Sequence, residues 1–215
     1  MKQGVIEGRA AALPTANLDT DQIMPKQFLR GIDKAGLARG LLYDLRFDAQ
    51  GQPREGFVLN QPAFTGVDIL IAGPNYGCGS SREHAVWGMQ QFGFKAVVAA
   101  SFGEIFYSNA VNNRLLPVMV SEADALALLD EAAAHEGPLP LCIDLEALTV
   151  TSPTRLAGFQ LSPRHQRMLI EGLDLIGASL QHRAEIEAFA QRHWTSQPWL
   201  KDVAARMHAS ATAAA

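Results

Sequence analysis

A glycine-rich stretch that joins an apolar run to a helical pattern most constrains how this chain can fold. Residues 75–85 read NYGCGSSREHA and follow the apolar run VDILIA at 67–72. A short apolar run of this kind is typical of a buried strand. Residues 85–90 have a helical pattern, which Gly93 ends. The stretch therefore predicts a strand, a tight turn and the first turn of a helix.

The residue types in this turn are those that bind an anion. Gly77 and Gly79 allow positive φ and a close approach of the backbone to a ligand, and the free N–H groups of a helix start favour negative charge. Arg82 can bind a carboxylate through two parallel hydrogen bonds. A hydroxyl beside such positive groups, on Ser80 or Ser81, ionises at a lower cost than in water. These features predict a site for a small carboxylate substrate.

A purely structural interpretation of the same residues stays open at this point. Ser80 and Glu83 have the spacing of a capping box, in which Ser80 only satisfies the helix start. Arg82 would then be a surface charge. Nucleotide loops are excluded, because Arg82 replaces the third glycine of a dinucleotide fingerprint and no Gly-Lys-Ser/Thr follows.

The stretch resembles the signature of the swivelling domain of the aconitase superfamily. The rest of the chain is similar to the small subunits of 3-isopropylmalate dehydratase (isopropylmalate isomerase), from about residue 4 to residue 190. The matching stretches are NLDTDQI at 17–23, PKQFL at 25–29, SFGEIFY at 101–107, NNRLLP at 112–117 and GLDLIG at 172–177. The resemblance implies an α/β fold of the β/β/α swivelling type with a mixed sheet, like the aconitase C-terminal domain.

The resemblance also implies a reaction. Members of the family interconvert 2-isopropylmalate and 3-isopropylmalate by dehydration and rehydration through isopropylmaleate, a step of leucine biosynthesis. This hydro-lyase chemistry needs a strong base and a Lewis acid. By resemblance, Ser80 is the base, acting as an alkoxide, and Ser81, Arg82 and Arg30 bind substrate. The expected supporting residues are Asp21, Gly77, Gly79, Glu83 and His84.

The family's Lewis acid is not expected on this chain. A four-iron cluster in the family is held by three cysteines, and the sequence has two, Cys78 and Cys142, far apart. We therefore expect no metal on this chain, a 4Fe-4S cluster on a separate large subunit, and activity only in a heterodimer with it. Cys78 lies near His84 in sequence, but related domains carry glutamate at that position, so no essential thiol is expected.

Composition bounds the remaining function classes. A length of 215 residues suggests one domain, which we place at 1–195, followed by a small polar tail at 196–215 that we expect to be mobile. The net charge of −4, without a basic block, argues against nucleic-acid binding. Neither a signal peptide nor an apolar run long enough for a membrane is evident. We expect a cytoplasmic protein with no membrane contact.

Patterning along the chain supports an α/β class, because strands alternate with helices early and cluster late. Residues 57–60 are predicted as an extended edge. Ser121 is predicted to cap a helix over 122–135 with Leu126, Leu128 and Leu129 on its buried face. Residues 142–145 and 148–151 are predicted to pair as a hairpin.

Two alternatives to the isopropylmalate reaction stay open on sequence alone. The chain could be the small subunit of a related dehydratase, acting on citraconate, dimethylmalate or homoaconitate. It could also be a non-catalytic module that binds carboxylates or regulates RNA.

Overall fold

The strands of this protein close into one barrel. A computed structural model describes residues 4–29 and 34–213. Within them the strands are β1 (Val5–Leu13), β2 (Ile69–Ala72), β3 (Ala96–Ala99), β4 (Leu116–Val120), β5 (Leu139–Asp144), β6 (Thr149–Thr151) and β7 (Leu156–Gln160). Their order around the barrel is β1-β2-β3-β4-β7-β6-β5.

Helices connect these strands. The described α-helices are α1 (Thr20–Ile23), α2 (Tyr43–Arg46), α3 (Glu83–Phe92), α4 (Glu104–Asn112), α5 (Glu122–Ala134), α6 (Pro163–Glu171), α7 (Leu175–Leu180), α8 (Arg183–Ser196) and α9 (Val203–Ala213). Short 3-10 turns lie at Lys26–Phe28, Leu37–Gly40, Val58–Asn60, Pro62–Phe64 and Pro198–Leu200.

The sheet is mixed, as the sequence predicts. Strands β1 to β4 run parallel to one another, in the pairs β1–β2, β2–β3 and β3–β4. Strands β5 to β7 form antiparallel pairs with each other, and they join the parallel half through β4–β7 and β1–β5. The predicted hairpin is therefore confirmed as β5 and β6. Closure of the sheet leaves neither end of the strand order as a free edge.

Side-chain alternation along β2 divides the core in two. Every residue of β2 is buried, as expected for a parallel strand covered on both faces. Leu70 belongs to the cluster that includes Met89 of α3 and Phe106 of α4. Ile69 belongs to the cluster that includes Leu128 of α5 and the inner side chains of β5 to β7. The first cluster is the one that underlies the site described below.

Two local predictions are wrong. Residues 58–60 form a 3-10 turn rather than an extended edge. A second 3-10 turn begins at Pro62, so the chain bends here instead of extending along the sheet. Leu126 is 62% exposed, because the buried side of α5 is formed by Ala125, Leu128 and Leu129, so the prediction of a buried face is confirmed for Leu128 and Leu129. The predicted cap is confirmed, as the Ser121 hydroxyl accepts a hydrogen bond from the N–H of Asp124 at 3.1 Å.

By internal contacts the chain divides into two compact units, Met1–Asp174 and Leu175–Ala215. The first contains the barrel. The second contains α7, α8 and α9, so helix is present beyond residue 196, where sequence patterning predicts none. The division lies at 174/175, whereas the sequence places a domain boundary at 195. That boundary and the mobility of the tail stay predictions. Over the ranges 4–29 and 34–213, helices fall short of the length and apolar character that a membrane crossing requires.

Candidate active site

Three loops meet where the parallel strands end. We call residues 14–19 the β1 loop, residues 73–82 the β2 loop and residues 100–103 the β3 loop. Asp19 pairs with Cys78 as an isolated parallel bridge, and Tyr76 pairs with Phe102 in the same way. The carboxyl ends of parallel strands are where α/β folds bind ligands. The predicted glycine-rich turn therefore lies at a favourable position.

Gly77 allows the β2 loop to lie directly on the core. Its φ is +73°, and a Cβ placed there would lie 2.3 Å from Cγ of Phe106, closer than atoms can pack. Its N–H donates to the carbonyl oxygen of Leu18 at 2.8 Å, which ties the β2 loop to the β1 loop. The predicted requirement for glycine here has a steric cause.

Asn75 links all three loops. It has a φ of +57°, in the left-handed region that asparagine tolerates better than most residues. Its N–H donates to the Ser101 hydroxyl oxygen at 2.8 Å, and its side-chain amide donates to Oδ1 of Asn17 at 2.8 Å. These contacts hold the start of the turn in one position.

Helix α3 begins later than a capping box at Ser80 requires. Its first residue is Glu83 and its N-cap residue is Arg82, which makes no side-chain capping hydrogen bond. A capping box would need Ser80 as N-cap and Glu83 as the third helical residue. The structural interpretation of Ser80 as a cap is therefore wrong, and its hydroxyl is not used to start the helix.

Ser80 is exposed, and its backbone carbonyl group is fixed by hydrogen bonds. The carbonyl oxygen of Ser80 accepts hydrogen bonds from Oγ1 of Thr20 at 2.7 Å and from the N–H of Arg82 at 2.8 Å. Ser80 and Ser81 are both exposed. Neither hydroxyl has a hydrogen bond to another residue of the described ranges. Both hydroxyls are therefore available to a ligand.

Arg82, at the end of the β2 loop, forms an ion pair with Asp21 in α1. The pair joins Nη1 of Arg82 to Oδ1 of Asp21. The Arg82 side chain is 18% exposed and the Asp21 side chain 43%. Asp21 lies in the first turn of α1, whose N-cap Asp19 forms a capping box with Gln22. Helix α1 thus places a carboxylate that fixes the guanidinium beside Ser80 and Ser81.

Glu83 and His84 make different contacts from the rest of the predicted site. Oε1 of Glu83 accepts a hydrogen bond from Nδ2 of Asn113 at 2.5 Å. Oδ1 of Asn113 in turn accepts one from Nε1 of Trp87 at 2.9 Å. The rings of His84 and Trp87 lie 4.7 Å apart. A cleft of about 760 Å³ is lined by Glu83, Trp87 and Asn113 among others.

The structure thus brings most of the predicted site residues together. Ser80, Ser81, Gly77 and Gly79 share the β2 loop, and Asp21 reaches the same turn through its ion pair with Arg82. Arg30 lies outside the described residues. Sequence reasoning missed Asn17, Thr20, Asn75 and Ser101 as residues that hold the turn. The available signal was that each lies within one of the stretches that resemble the family.

Cys78 is held by the backbone of the β1 loop. Its Sγ lies 3.4 Å from the carbonyl oxygen of Asn17 as a hydrogen-bond donor. Cys78 and Cys142 are both free thiols. The residues described contain no cluster of three or more histidine, cysteine or acidic side chains that could hold a metal ion.

Buried aromatic side chains in the core pack against the β2 loop. Tyr76 is fully buried, and its ring meets that of Phe106 edge-to-face at 5.3 Å. Burial raises the pKa of the Tyr76 phenol. The phenol therefore stays neutral and contributes to packing, with its hydroxyl 3.3 Å from Sδ of Met89.

Two family models match parts of this chain. Residues 4–123 match the family model of the aconitase C-terminal domain. Residues 176–203 match the family model of the C-terminal domain of 3-isopropylmalate dehydratase small subunits.

Similar proteins include the 3-isopropylmalate dehydratase small subunit 1 of Chromobacterium violaceum, 60% identical over 93% of each chain. The small subunit of Phenylobacterium zucineum is 47% identical over 91% of this chain and 96% of its own. A crystal structure of 3-isopropylmalate dehydratase from Methanocaldococcus jannaschii matches with a TM-score of 0.61 at 28% identity, covering 86% of this chain and 99% of that one. This chain belongs to the family of 3-isopropylmalate dehydratase small subunits.

Proposed function

We propose that this chain is the small subunit of a heteromeric hydro-lyase that interconverts 2-isopropylmalate and 3-isopropylmalate. The reaction proceeds by dehydration and rehydration through isopropylmaleate, and it belongs to leucine biosynthesis. The observation that carries this function is the 60% identity to a 3-isopropylmalate dehydratase small subunit over 93% of both chains. The exposed serine and the held arginine at the β2 loop support it chemically.

Ser80 is the proposed base. The hard step is removal of a proton from a carbon next to a carboxylate, and a serine alkoxide is basic enough to accept it. The positive end of α3 and the guanidinium of Arg82 favour the negative oxygen. In the return direction the neutral hydroxyl gives the proton back. The absence of a capping role leaves the Ser80 oxygen free for this task.

Arg82 and Ser81 are proposed to bind a substrate carboxylate, and Arg30 a second one. The guanidinium has five N–H donors, so its ion pair with Asp21 leaves several of them for substrate. Asp21 fixes the plane of the guanidinium before the substrate arrives. Ser81 is exposed next to it and can donate to the same carboxylate.

The partner is proposed to carry the Lewis acid. A cluster with three cysteine ligands cannot form on a chain that has two cysteines, in separate parts of the fold. We propose a 4Fe-4S cluster on the large subunit, where it supplies the Lewis acid for the departing hydroxyl group. The base and the carboxylate-binding groups come from the small subunit.

The exposure of Ser80 and Ser81 is what a site shared between two chains requires. A base that removes a proton from carbon has to work away from bulk water, and a second surface would enclose it. We also propose that the complex acts in the cytoplasm, on small dicarboxylates rather than nucleic acids.

Co-expression with the large subunit tests this function. The purified complex should convert 2-isopropylmalate to 3-isopropylmalate, and neither chain alone should do so. Citraconate, dimethylmalate and homoaconitate are assayed in parallel, with Ser108→Ala as a variant of an exposed serine outside the site. Faster turnover of one of those alternatives would reassign the substrate, and lack of turnover on all four would reject the enzyme assignment.

A further inference from the structure

We propose that Thr20 is a positioning residue that fixes the backbone of Ser80 through its hydroxyl. This inference rests on the proposed function of Ser80 and adds a residue to the machinery. It arises from a hydrogen bond between residues that lie 60 positions apart in the sequence.

Thr20 is almost completely buried, which is uncommon for threonine. It is 1% exposed, and among the described residues the only other polar side chain that is nearly as buried is that of Ser152, which is 7% exposed. A buried hydroxyl loses its contacts with water, so it persists where a protein partner replaces them. The partner of Thr20 is the backbone of the proposed catalytic residue.

Two hydrogen bonds from Thr20 hold the turn on both sides of Gly79. The N–H of Thr20 donates to the carbonyl oxygen of Cys78 at 2.9 Å, and its Oγ1 donates to the carbonyl oxygen of Ser80 at 2.7 Å. Gly79 between them has a φ of +85°. Glycine is the residue with the greatest backbone freedom, so this is the link at which the turn would otherwise rotate. The two hydrogen bonds from Thr20 restrict rotation of the backbone at Gly79.

The same helix also holds Arg82. Thr20 is the first residue of α1, and the next residue, Asp21, carries the carboxylate paired with Arg82. One short helix therefore orients both the proposed base and the proposed carboxylate-binding group. A base must be held to within about 0.5 Å of its productive position, and a misplacement of about 1 Å can cost about 100-fold in rate.

Steady-state kinetics of the reconstituted complex separate positioning from simple stabilisation. Thr20→Val keeps the branched shape and removes the hydroxyl. We expect kcat to fall about 10- to 100-fold with KM within about threefold, because Ser80 moves while the carboxylate-binding groups stay. Thr20→Ser restores the hydroxyl and should recover kcat to within about threefold of wild type.

The matched control is Ser152→Ala, which removes the other buried hydroxyl. Ser152 lies between β6 and β7, and its Oγ donates a hydrogen bond to Oε2 of Glu131 in α5 at 2.6 Å. The Ser152→Ala substitution should lower the melting temperature and leave kcat unchanged. A Thr20→Val enzyme with kcat within about threefold of wild type, or an equal loss of kcat in Ser152→Ala, would overturn the inference. If Thr20→Val does not fold, Thr20→Ala serves in its place.

A second readout uses the isolated chain and needs no turnover. Cys78 adjoins Gly79, so its rate of alkylation by iodoacetamide reports loosening of the turn, and Cys142 in β5 is an internal reference. Peptide mass spectrometry should show faster alkylation of Cys78 in Thr20→Val, with Cys142 unchanged. An unchanged Cys78 rate would contradict the backbone role. If the wild-type complex has no dehydratase activity, the proposed function fails, and the alkylation rate alone decides the role of Thr20.

Discussion

The guanidinium of Arg82 is paired with the carboxylate of Asp21, on a helix that ends the β1 loop more than fifty residues earlier in the chain. The arginine side chain is 18% exposed, so its orientation is set largely by protein groups. The serines beside it are exposed. The charged group of the proposed site is thus held by Asp21 and follows two exposed hydroxyl groups in the sequence.

Asp21→Asn tests what this pairing does. The asparagine keeps the shape and removes the charge, so the guanidinium loses its fixed plane. We expect KM to rise about tenfold, equivalent to about 1.4 kcal/mol of binding free energy. The melting temperature should fall as well, because the Arg82 side chain is only 18% exposed and its charge is left without its partner. Glu187→Gln, which breaks the exposed pair with Arg183, is the matched control and should leave KM unaltered. An unaltered KM in Asp21→Asn would remove the aspartate from the binding site.

Gly77 and Gly79 should differ in their tolerance of a side chain. Gly77→Ala combines positive φ with a clash against Phe106, so we expect a loss of about 2–5 kcal/mol in the free energy of unfolding. At Gly79 the nearest atom to an added Cβ is Cβ of Asp19, at 3.4 Å. Gly79→Ala should therefore cost only about 1–2 kcal/mol, from backbone strain. Denaturant unfolding of both variants measures this, and equal losses would contradict the steric role of Phe106.

The strand, turn and helix around residues 75–85 could be predicted because their signals are local. Continuous apolar character marks β2, Gly93 ends α3 in the left-handed conformation, and Ser121 caps α5. Each of these depends on residues within a few positions of one another. The anion-binding character of the turn was also inferred from local residue types, and it stays a prediction.

The contacts that complete the site could not be predicted, because they join distant parts of the chain. Nothing local to Thr20 shows that its hydroxyl meets the backbone of Ser80. The choice between a capping box and a free Ser80 depended on where the helix starts, which spacing does not determine. Closure of the barrel likewise depends on pairing of β1 with β5, more than a hundred residues later.

Cys78→Ser should keep activity within about threefold of wild type. The serine hydroxyl can donate to the carbonyl oxygen of Asn17 as the thiol does, and the proposed mechanism has no thiol step. Cys142→Ser is the control for general effects of removing a thiol. A loss above about 100-fold in kcat, about 2.7 kcal/mol of transition-state stabilisation, would make Cys78 a nucleophile instead.

Stability should fall at acid pH through Glu131. Burial alone would raise the pKa of this carboxyl, but hydrogen bonds from Ser152 and Thr154 and the charge of Arg155 outweigh it and lower the pKa. The folded state then binds the proton more weakly than the unfolded state. Its contribution is full above the ordinary value near 4.5 and is lost as pH falls through the lowered value.

Melting temperatures between about pH 6 and pH 3 measure this contribution. The decline below the ordinary pKa should be shallower in Glu131→Gln than in wild type. Glu122→Gln, which removes another carboxylate on α5, is the control. Parallel curves for Glu131→Gln and wild type would show that this carboxyl does not carry the effect.

The kcat of Ser80→Ala in the complex with the large subunit tests the central claim most directly. We expect kcat to fall by about 100- to 10,000-fold with KM within a few-fold, since the base is lost and the carboxylate-binding groups remain. The melting temperature should match wild type, because the hydroxyl caps no helix and has no hydrogen bond to the described residues. Ser108→Ala should match wild type in both measurements. A Ser80→Ala enzyme that turns over within about threefold of wild type would contradict Ser80 as the base.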